Sequence, residues 1–342
     1  MKQINWGIIG LGNIAQKFSE GFINVSNSNL FAIASKNKIK LNNFKKKFNL
    51  DEQYSFNNYD DLLKCKEVDI IYITLPNFLH YDWILKCIEH KKSILIEKPA
   101  FLSYSQATDI EKSLIENRIF FTENYMYRYH PLVRKLIELV KENIIGDLIN
   151  MESNFGLNIM TKKKFFFFKK NKKIDKNNRL FNKEMGGGCI FDLGCYTTSI
   201  SLLVAALLKE IDTKNVTLKN IKKKIGPTHV DIDAEAELIF NDSFRSYIKT
   251  SFIKNLGNKT IITGEKGKII LERSFLDIGG LTLLKNGKKS FIYNPSLKNL
   301  YSYGIESISK SIIDDKIQYS FPIMSIEETL INTKIIDNWV KN

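Results

Sequence analysis

Ile4-Asn5-Trp6-Gly7-Ile8-Ile9-Gly10-Leu11-Gly12-Asn13-Ile14-Ala15 is the stretch that decides the fold. Residues 4–9 read as a strand, and Ile14 to Val25 reads as the helix after it. Between them Gly10 and Gly12 open a G-x-G-x-x-A loop. Glycines in a strand–turn–helix context permit a tight turn and close backbone approach. The helix start then offers free N–H groups and a positive dipole end to a pyrophosphate. Gly10, Gly12, Asn13 and Ile14 are therefore expected to bind a dinucleotide.

Outward from this loop, strands and helices alternate. Leu30 to Ser35, Val68 to Ile73, Ser93 to Ile96 and Arg118 to Thr122 read as strands. Lys40 to Phe48, Tyr59 to Lys64, His80 to His90 and Tyr104 to Asn117 read as helices. This pattern predicts an α/β fold with a doubly wound parallel sheet over residues 1–122. The rest, 123–342, changes character. Pro131 to Lys141 reads as a helix, Ile149 to Gly156 as a strand and Asp192 to Leu208 as a long apolar helix. Strands follow at 230–239, 244–252, 259–263, 268–272, 281–284 and 289–293, which predicts an open, mostly antiparallel sheet. Helices at 305–314 and 326–340 close the chain, the last a candidate for packing back on the first domain. Lys162 to Arg179, strongly basic around Phe165-Phe166-Phe167-Phe168, is expected to be an exposed loop with an aromatic tuck.

Bulk properties narrow the classes. A chain of 342 residues is long enough for two domains. No apolar run of about 18 residues marks a membrane span. The N-terminus enters a strand without a signal-peptide pattern, so a cytoplasmic location is expected. Cys65, Cys87, Cys189 and Cys195 lack zinc-like spacing, so no metal is expected and the thiols read as reduced. The net charge of +14 raises nucleic acid as a partner. Lysine predominates over arginine, however, beside abundant Asn, Ile and Phe, all residues of AT-rich codons. Basicity alone bears on non-specific attraction, so no nucleic-acid role is inferred.

An acidic residue about twenty positions after the glycine loop would read the ribose of NAD. None occurs between Gly21 and Leu50. Ser35 and Lys36 stand there instead, suited to a 2′-phosphate, so NADP(H) is preferred and NAD(H) remains open.

Two further clusters carry chemistry. Lys98 ends the apolar run Ser93-Ile94-Leu95-Ile96-Glu97-Lys98-Pro99, an unexpected place for an ammonium unless it is used. Asn77 and His80 leave another strand at the same sheet edge, facing the dinucleotide, although His80 reads equally well as a packed core histidine. Gly186-Gly187-Gly188 leads to Asp192 and Tyr196, which share a face if the segment is an α-helix. A phenol with a pKa near 10 is a poor base, but a neighbouring ammonium favours its ionised form. Lys98 and Tyr196 would make a proton-transfer pair, and either could be the acting group. Asp192 also reads as a helix cap and Tyr196 as a half-buried core aromatic.

The set resembles the glucose–fructose oxidoreductase / inositol dehydrogenase / MocA family. The resemblance rests on residues 7–15, Pro76-Asn77 with His80, Glu97-Lys98-Pro99, and Gly186 to Gly188 leading to Asp192 and Tyr196. Tyr125-Met126-Tyr127-Arg128-Tyr129-His130-Pro131 and Thr263-Gly264-Glu265-Lys266-Gly267 extend it over nearly the whole chain. It implies a Rossmann domain followed by an α/β domain whose open sheet mediates a homodimer or homotetramer. It implies a catalytic lysine at Lys98, with Asp192 and Tyr196 as its partners. It adds Leu75, Glu97 and Lys98 to the cofactor contacts, and Arg128, Tyr129, Asp192 and Tyr196 to the substrate contacts. Tyr196, where many members carry His, is similar to the branch of glucose–fructose oxidoreductase, xylose dehydrogenase and dihydrodiol dehydrogenase. That branch often uses NADP(H). The implied activity is hydride transfer between a sugar or cyclic polyol and nicotinamide. The rival classes are a glycosidase using transient oxidation and a non-catalytic cofactor sensor. The intact Lys98, Asp192 and Tyr196 set argues against the sensor.

Overall fold

β1 (Ile4–Ile9) is an inner strand of a six-stranded parallel sheet in the computed structural model. The structure describes residues 3–164, 168–171, 174–276, 279–292, 299–315 and 321–342. The other strands of this sheet are β2 (Ser28–Ala34), β3 (Ser55–Phe56), β4 (Ile70–Ile73), β5 (Ser93–Ile96) and β6 (Phe121–Glu123). Their order is β3-β2-β1-β4-β5-β6, so the winding reverses between β1 and β4. All four residues of β4 are buried, as strands covered on both faces require. The crossover helices are α1 (Asn13–Ser19), α2 (Lys38–Phe48), α3 (Tyr59–Lys64), α4 (His80–Glu89) and α5 (Tyr104–Asn117). Leu62, Trp83, Ile84, Ala107 and Ile110 from α3, α4 and α5 pack with Ile9, Ile71, Ile73, Ile94 and Ile96 in one core.

Three local differences from the sequence reading have physical causes. The first helix ends at Ser19 and continues as a 3₁₀ segment, Glu20–Asn24. Arg118 takes a left-handed conformation as the C-cap of α5, so β6 starts later than expected. β3 is an edge strand of two residues, too short to show alternation.

The chain divides into two compact units, Met1–His130 with Ser296–Leu330, and Pro131–Pro295 with Ile331–Asn342. α8 (Leu300–Ile313), a helix that the sequence placed with the second half, belongs to the first unit. The Trp6 indole donates to Ser309 Oγ at 2.9 Å, and Ser302 Oγ donates to Gly21 O at 2.7 Å. Trp6, Phe18 and Tyr301 line this side of the sheet.

The second unit contains α6 (Pro131–Lys141), α7 (Cys195–Ala205) and most of α9 (Ile326–Lys341). Its main sheet contains β7 (Leu148–Gly156), β10 (Val216–Ile225), β11 (Asp231–Phe240), β12 (Phe244–Ser251), β13 (Gly257–Gly264), β14 (Gly267–Leu271), β15 (Leu281–Lys285) and β16 (Lys288–Ile292). The order is β10-β11-β12-β7-β13-β14-β15-β16. Its pairs are antiparallel except β12 with β7. Side chains of β12 alternate between buried and exposed, so the strand has one packed face and one open face. β10 was not foreseen, because its lysine-rich sequence hides the apolar alternation of an end strand. Lys219, Lys222, Lys223 and Lys224 lie on β10, and Lys288 and Lys289 on β16, at the opposite end. The final turns of α9 belong here as well, with Lys223 Nζ donating to Val340 O at 2.8 Å.

The expected loop over 162–179 instead contains a two-stranded antiparallel ladder, β8 (Thr161–Lys164) with β9 (Phe168–Asn171). Phe165, Phe166 and Phe167 lie outside the described residues, as do Lys172 and Lys173, and Tyr293 of the last expected strand. Among the described residues no helix is long and apolar enough to cross a membrane.

Candidate active site

The turn after β1 lies at the winding reversal, where open α/β sheets bind ligands. Gly10 has φ +89, and a Cβ there would come within 2.9 Å of the Leu75 side chain and 3.2 Å of Thr74 O. Leu75 and Thr74 follow β4, so the absent side chain lets two neighbouring strand ends close together. A Cβ on Gly12 would meet only open space. Gly12 also precedes α1 without a side-chain cap, and no acidic residue stands in the first turn. Uncapped N–H groups beside open space fit the pyrophosphate of a dinucleotide. Asn13 and Ile14 form the first turn of α1.

At the end of β2 the chain presents Ser35 and Lys36. Ser35 is buried, and its Oγ accepts from Asn37 N at 3.2 Å. Lys36 is exposed, with Nζ 5.6 Å from the centre of the Tyr59 ring. Lys38 and Lys40 are exposed beside it, in a patch without a carboxylate of its own chain segment.

Lys98 leaves β5 half-buried, and the chain on both sides of it is fixed. Glu97 accepts from Tyr72 Oη and from Asn124 Nδ2, the latter at 2.8 Å. Burial and the Glu97 charge hold the Tyr72 phenol well above its usual pKa, so it is the donor. After Lys98, His80 Nδ1 lies 3.0 Å from Pro99 O, and the Ala100 N–H donates to Glu123 Oε1 at 2.9 Å. The other nitrogen of His80 lies 2.9 Å from Leu75 O. The His80 ring is fully buried. The ring sits in the interior with a backbone carbonyl beside each nitrogen, and a neutral imidazole donates to one of the two. Asn77 is half-buried at the start of a 3₁₀ turn, Asn77–Leu79, on the same edge.

Arg128 and Tyr129 also turn inward. Arg128 is 1% exposed, and its guanidinium makes two bonds to Glu328, at 2.7 and 3.4 Å. Tyr129 is buried with its ring against Gly304 of α8. The polar end of Arg128 is thus engaged by a carboxylate of the same unit.

In the second unit the candidate residues stand around the glycine run. Gly188 has φ +119, and a Cβ there would come within 2.5 Å of Asp231 Oδ2. The same carboxylate accepts from Ile190 N at 2.7 Å, at the entry to the segment that carries Asp192. A Cβ on Gly187 would meet Arg179 O at 2.7 Å. The glycines thus let the chain press onto Asp231 on one side and onto the Arg179–Phe181 turn on the other. The result is an ion pair that the sequence reading missed. Both terminal nitrogens of Arg179 lie 3.4 Å from Asp192 Oδ1. Arg179 is 51% exposed and Asp192 18%.

Asp192 does not begin a regular α-helix. Ile190–Gly194 is a π-helical turn, with Cys195 N bonded to Ile190 O, and α7 starts only at Cys195. The spacing from Asp192 to Tyr196 is therefore not that of an α turn. Tyr196 is buried among aromatics, its ring centre 5.4 Å from Phe155 and 5.3 Å from Phe275. Burial and Asp231 push the Cys189 thiol well above its usual pKa, which leaves it a protonated packing group.

A faint signal existed for the missed residues. Glu123 and Asn124 end β6 as Glu97 and Lys98 end β5, polar groups closing a buried strand at one edge. Arg179 was absorbed into a long basic run and carried no mark of its own.

These features coincide with what is found in known proteins. Residues 4–125 match the model of the oxidoreductase family with an NAD-binding Rossmann fold, GFO_IDH_MocA. Residues 133–270 match the GFO/IDH/MocA C-terminal domain. The two matches together span most of the chain, and the chain belongs to this family. It is 24% identical to trans-1,2-dihydrobenzene-1,2-diol dehydrogenase of Xenopus tropicalis, over 97% of this chain and 96% of that one. It is 27% identical to D-xylose 1-dehydrogenase (NADP(+)) 2 of Haloferax volcanii, over 58% of this chain and 56% of that one. The fold is similar to that of aldose-aldose oxidoreductase from Caulobacter crescentus complexed with glycerol. The TM-score is 0.85 at 19% identity, over 99% of this chain and 97% of that one.

Proposed function

We propose that the chain is an NADP-preferring dehydrogenase or reductase. It would move a hydride between a CH–OH carbon of a sugar or cyclic polyol and nicotinamide. The observation that carries this reading is the placement of Lys98 at the same strand ends as the uncapped glycine loop, in a member of an oxidoreductase family. Gly10, Gly12, Asn13 and Ile14 hold the pyrophosphate, and Leu75, Asn77 and Glu97 border the nicotinamide end. Ser35 and Lys36 receive the 2′-phosphate. The missing acid after β2 and a relative named for NADP(+) support that preference. Bound NADP supplies the two-electron acceptor.

Oxidation of an alcohol carbon also releases the hydroxyl proton. Either Lys98 Nζ of the first unit or Tyr196 Oη of the second handles that proton, and Asp192 binds the substrate hydroxyl. The aromatic walls of Phe155 and Phe275 fix the tyrosine ring and exclude water from it. In the reverse direction the same group returns the proton. We further propose a cytoplasmic homodimer or homotetramer formed through the open face of the second unit's sheet, where Arg245, Tyr247 and Lys249 are exposed. Light scattering after size exclusion gives its mass.

The test is a panel of sugars, cyclic polyols and diols offered with NADP or NAD, following absorbance of the reduced cofactor. Turnover with NADP on at least one sugar or polyol is expected. Complete inactivity with either cofactor across the panel sinks the reading.

A further inference from the structure

The peptide group between Pro99 and Ala100 is gripped at both ends. Its carbonyl oxygen lies 3.0 Å from His80 Nδ1, and its N–H donates to Glu123 Oε1 at 2.9 Å. Both side chains are buried, with His80 at 0% and Glu123 at 2% exposure. Neither is a usual anchor for an ordinary loop, since burying an imidazole or a carboxyl is costly unless its bonds are made. The second nitrogen of His80 lies 2.9 Å from Leu75 O, so one ring packs between the turn after β4 and the turn after β5. On the other side of Lys98, Tyr72 and Asn124 hold the Glu97 carboxylate. The lysine thus leaves a backbone pinned immediately before and after it.

We propose that His80 and Glu123 are positioning residues for Lys98. By holding the two ends of the Pro99–Ala100 peptide they fix the direction from which the lysine side chain projects. His80 also sets that direction relative to Leu75, which borders the glycine loop. This inference rests on the proton-handling role of Lys98 proposed above. A displacement of about an ångström at such a group lowers turnover by about 100-fold.

The experiment uses the full chain and two readouts. The first is kinetic. His80→Ala lowers kcat by about 100-fold while the KM for sugar and the NADP dissociation constant stay within about threefold. Millimolar imidazole restores a large part of kcat. 1-Methylimidazole restores less, because in its neutral form it has no N–H to donate to the Pro99 carbonyl. Glu123→Leu loses kcat similarly, and Glu123→Gln, which keeps an acceptor for the Ala100 N–H, retains most of it. The second readout needs neither cofactor nor turnover. Acetic anhydride labels lysines of the unliganded protein, and mass spectrometry compares Lys98 with the exposed Lys310. The Lys98 to Lys310 ratio rises about threefold in His80→Ala and Glu123→Leu, as a released loop frees a half-buried amine, and falls back with imidazole or in Glu123→Gln.

An unchanged labelling ratio in His80→Ala and Glu123→Leu overturns the proposal. So does a kcat loss that imidazole does not relieve. A wild type inactive on every sugar but with the labelling response intact sinks the dehydrogenase reading and leaves the positioning role standing. Should His80→Ala not fold, His80→Gln and Glu123→Leu carry the same readouts.

Discussion

Around Lys98 the polar neighbours are interior groups. Tyr72, His80, Glu123 and Asn124 are buried, and each bonds to the chain beside the lysine. Around Asp192 the arrangement is different. The backbone is held from inside by Asp231, but the carboxylate itself faces Arg179, a half-exposed side chain in a long, shared contact. The first unit fixes the chain around Lys98 by buried hydrogen bonds. The second fixes the backbone and leaves the charge to a partner that solvent can reach. Rigid placement suits the cofactor-side role proposed for Lys98. A solvent-accessible counter-ion suits the substrate-side role proposed for Asp192.

The sharpest way to break this contrast is Lys98→Met. It should lower kcat/KM by about 1,000-fold or more while NADP binding, read by calorimetry, stays within about threefold. Gly188→Ala comes next, on the other side of the comparison. A methyl at φ +119, pressed against Asp231, should destabilise the second unit by about 3 kcal/mol in denaturant unfolding. Equal stability would mean that the turn before Asp192 is not fixed from inside.

Glu123 offers a pH test of the first region. Burial pushes its carboxyl from 4.5 up to about 7, while the Ala100 N–H and Arg128 limit the rise. The folded state therefore keeps the proton longer than the unfolded chain. Stability is highest below about pH 4.5 and falls as pH rises to about 7, by about 3 kcal/mol from this group. Glu123→Gln should flatten that part of the stability profile relative to the wild type. Parallel profiles would show that the carboxyl is not held in the interior as described.

Arg179→Gln should change the melting temperature little, because a half-exposed ion pair contributes under about 1 kcal/mol. Its effect should appear in the KM for substrate, about three- to tenfold, through Asp192. A large fall in stability would instead make Arg179 a structural strut and erase the contrast. The smallest effect is expected for Lys36→Ala. It should weaken NADP by about threefold and leave NAD unchanged, as measured by titration.

Much of this was legible in the residues. The glycine loop, the strand–helix alternation and Lys98 at a strand end follow from local patterns that hold in isolation. The parts that were not legible depend on long-range partners. His80 looks the same whether it faces a ligand or the carbonyl of Pro99, nineteen residues away. Arg128 looks like a binding residue until Glu328, two hundred residues later, closes on it. The π turn at 190–194 reads as α-helix because periodicity does not register one extra residue per turn. β10 escaped because its lysines hide the alternation of an end strand.

Those lysines give the net charge of +14 a second meaning. Among the described residues β10 and β16 are the end strands of the eight-stranded sheet, and each carries lysines along an edge that would otherwise invite another strand. Ammonium groups on such an edge repel a second copy of itself before its backbone can pair. Lysines on these two strands thus oppose edge-to-edge pairing of one sheet with another.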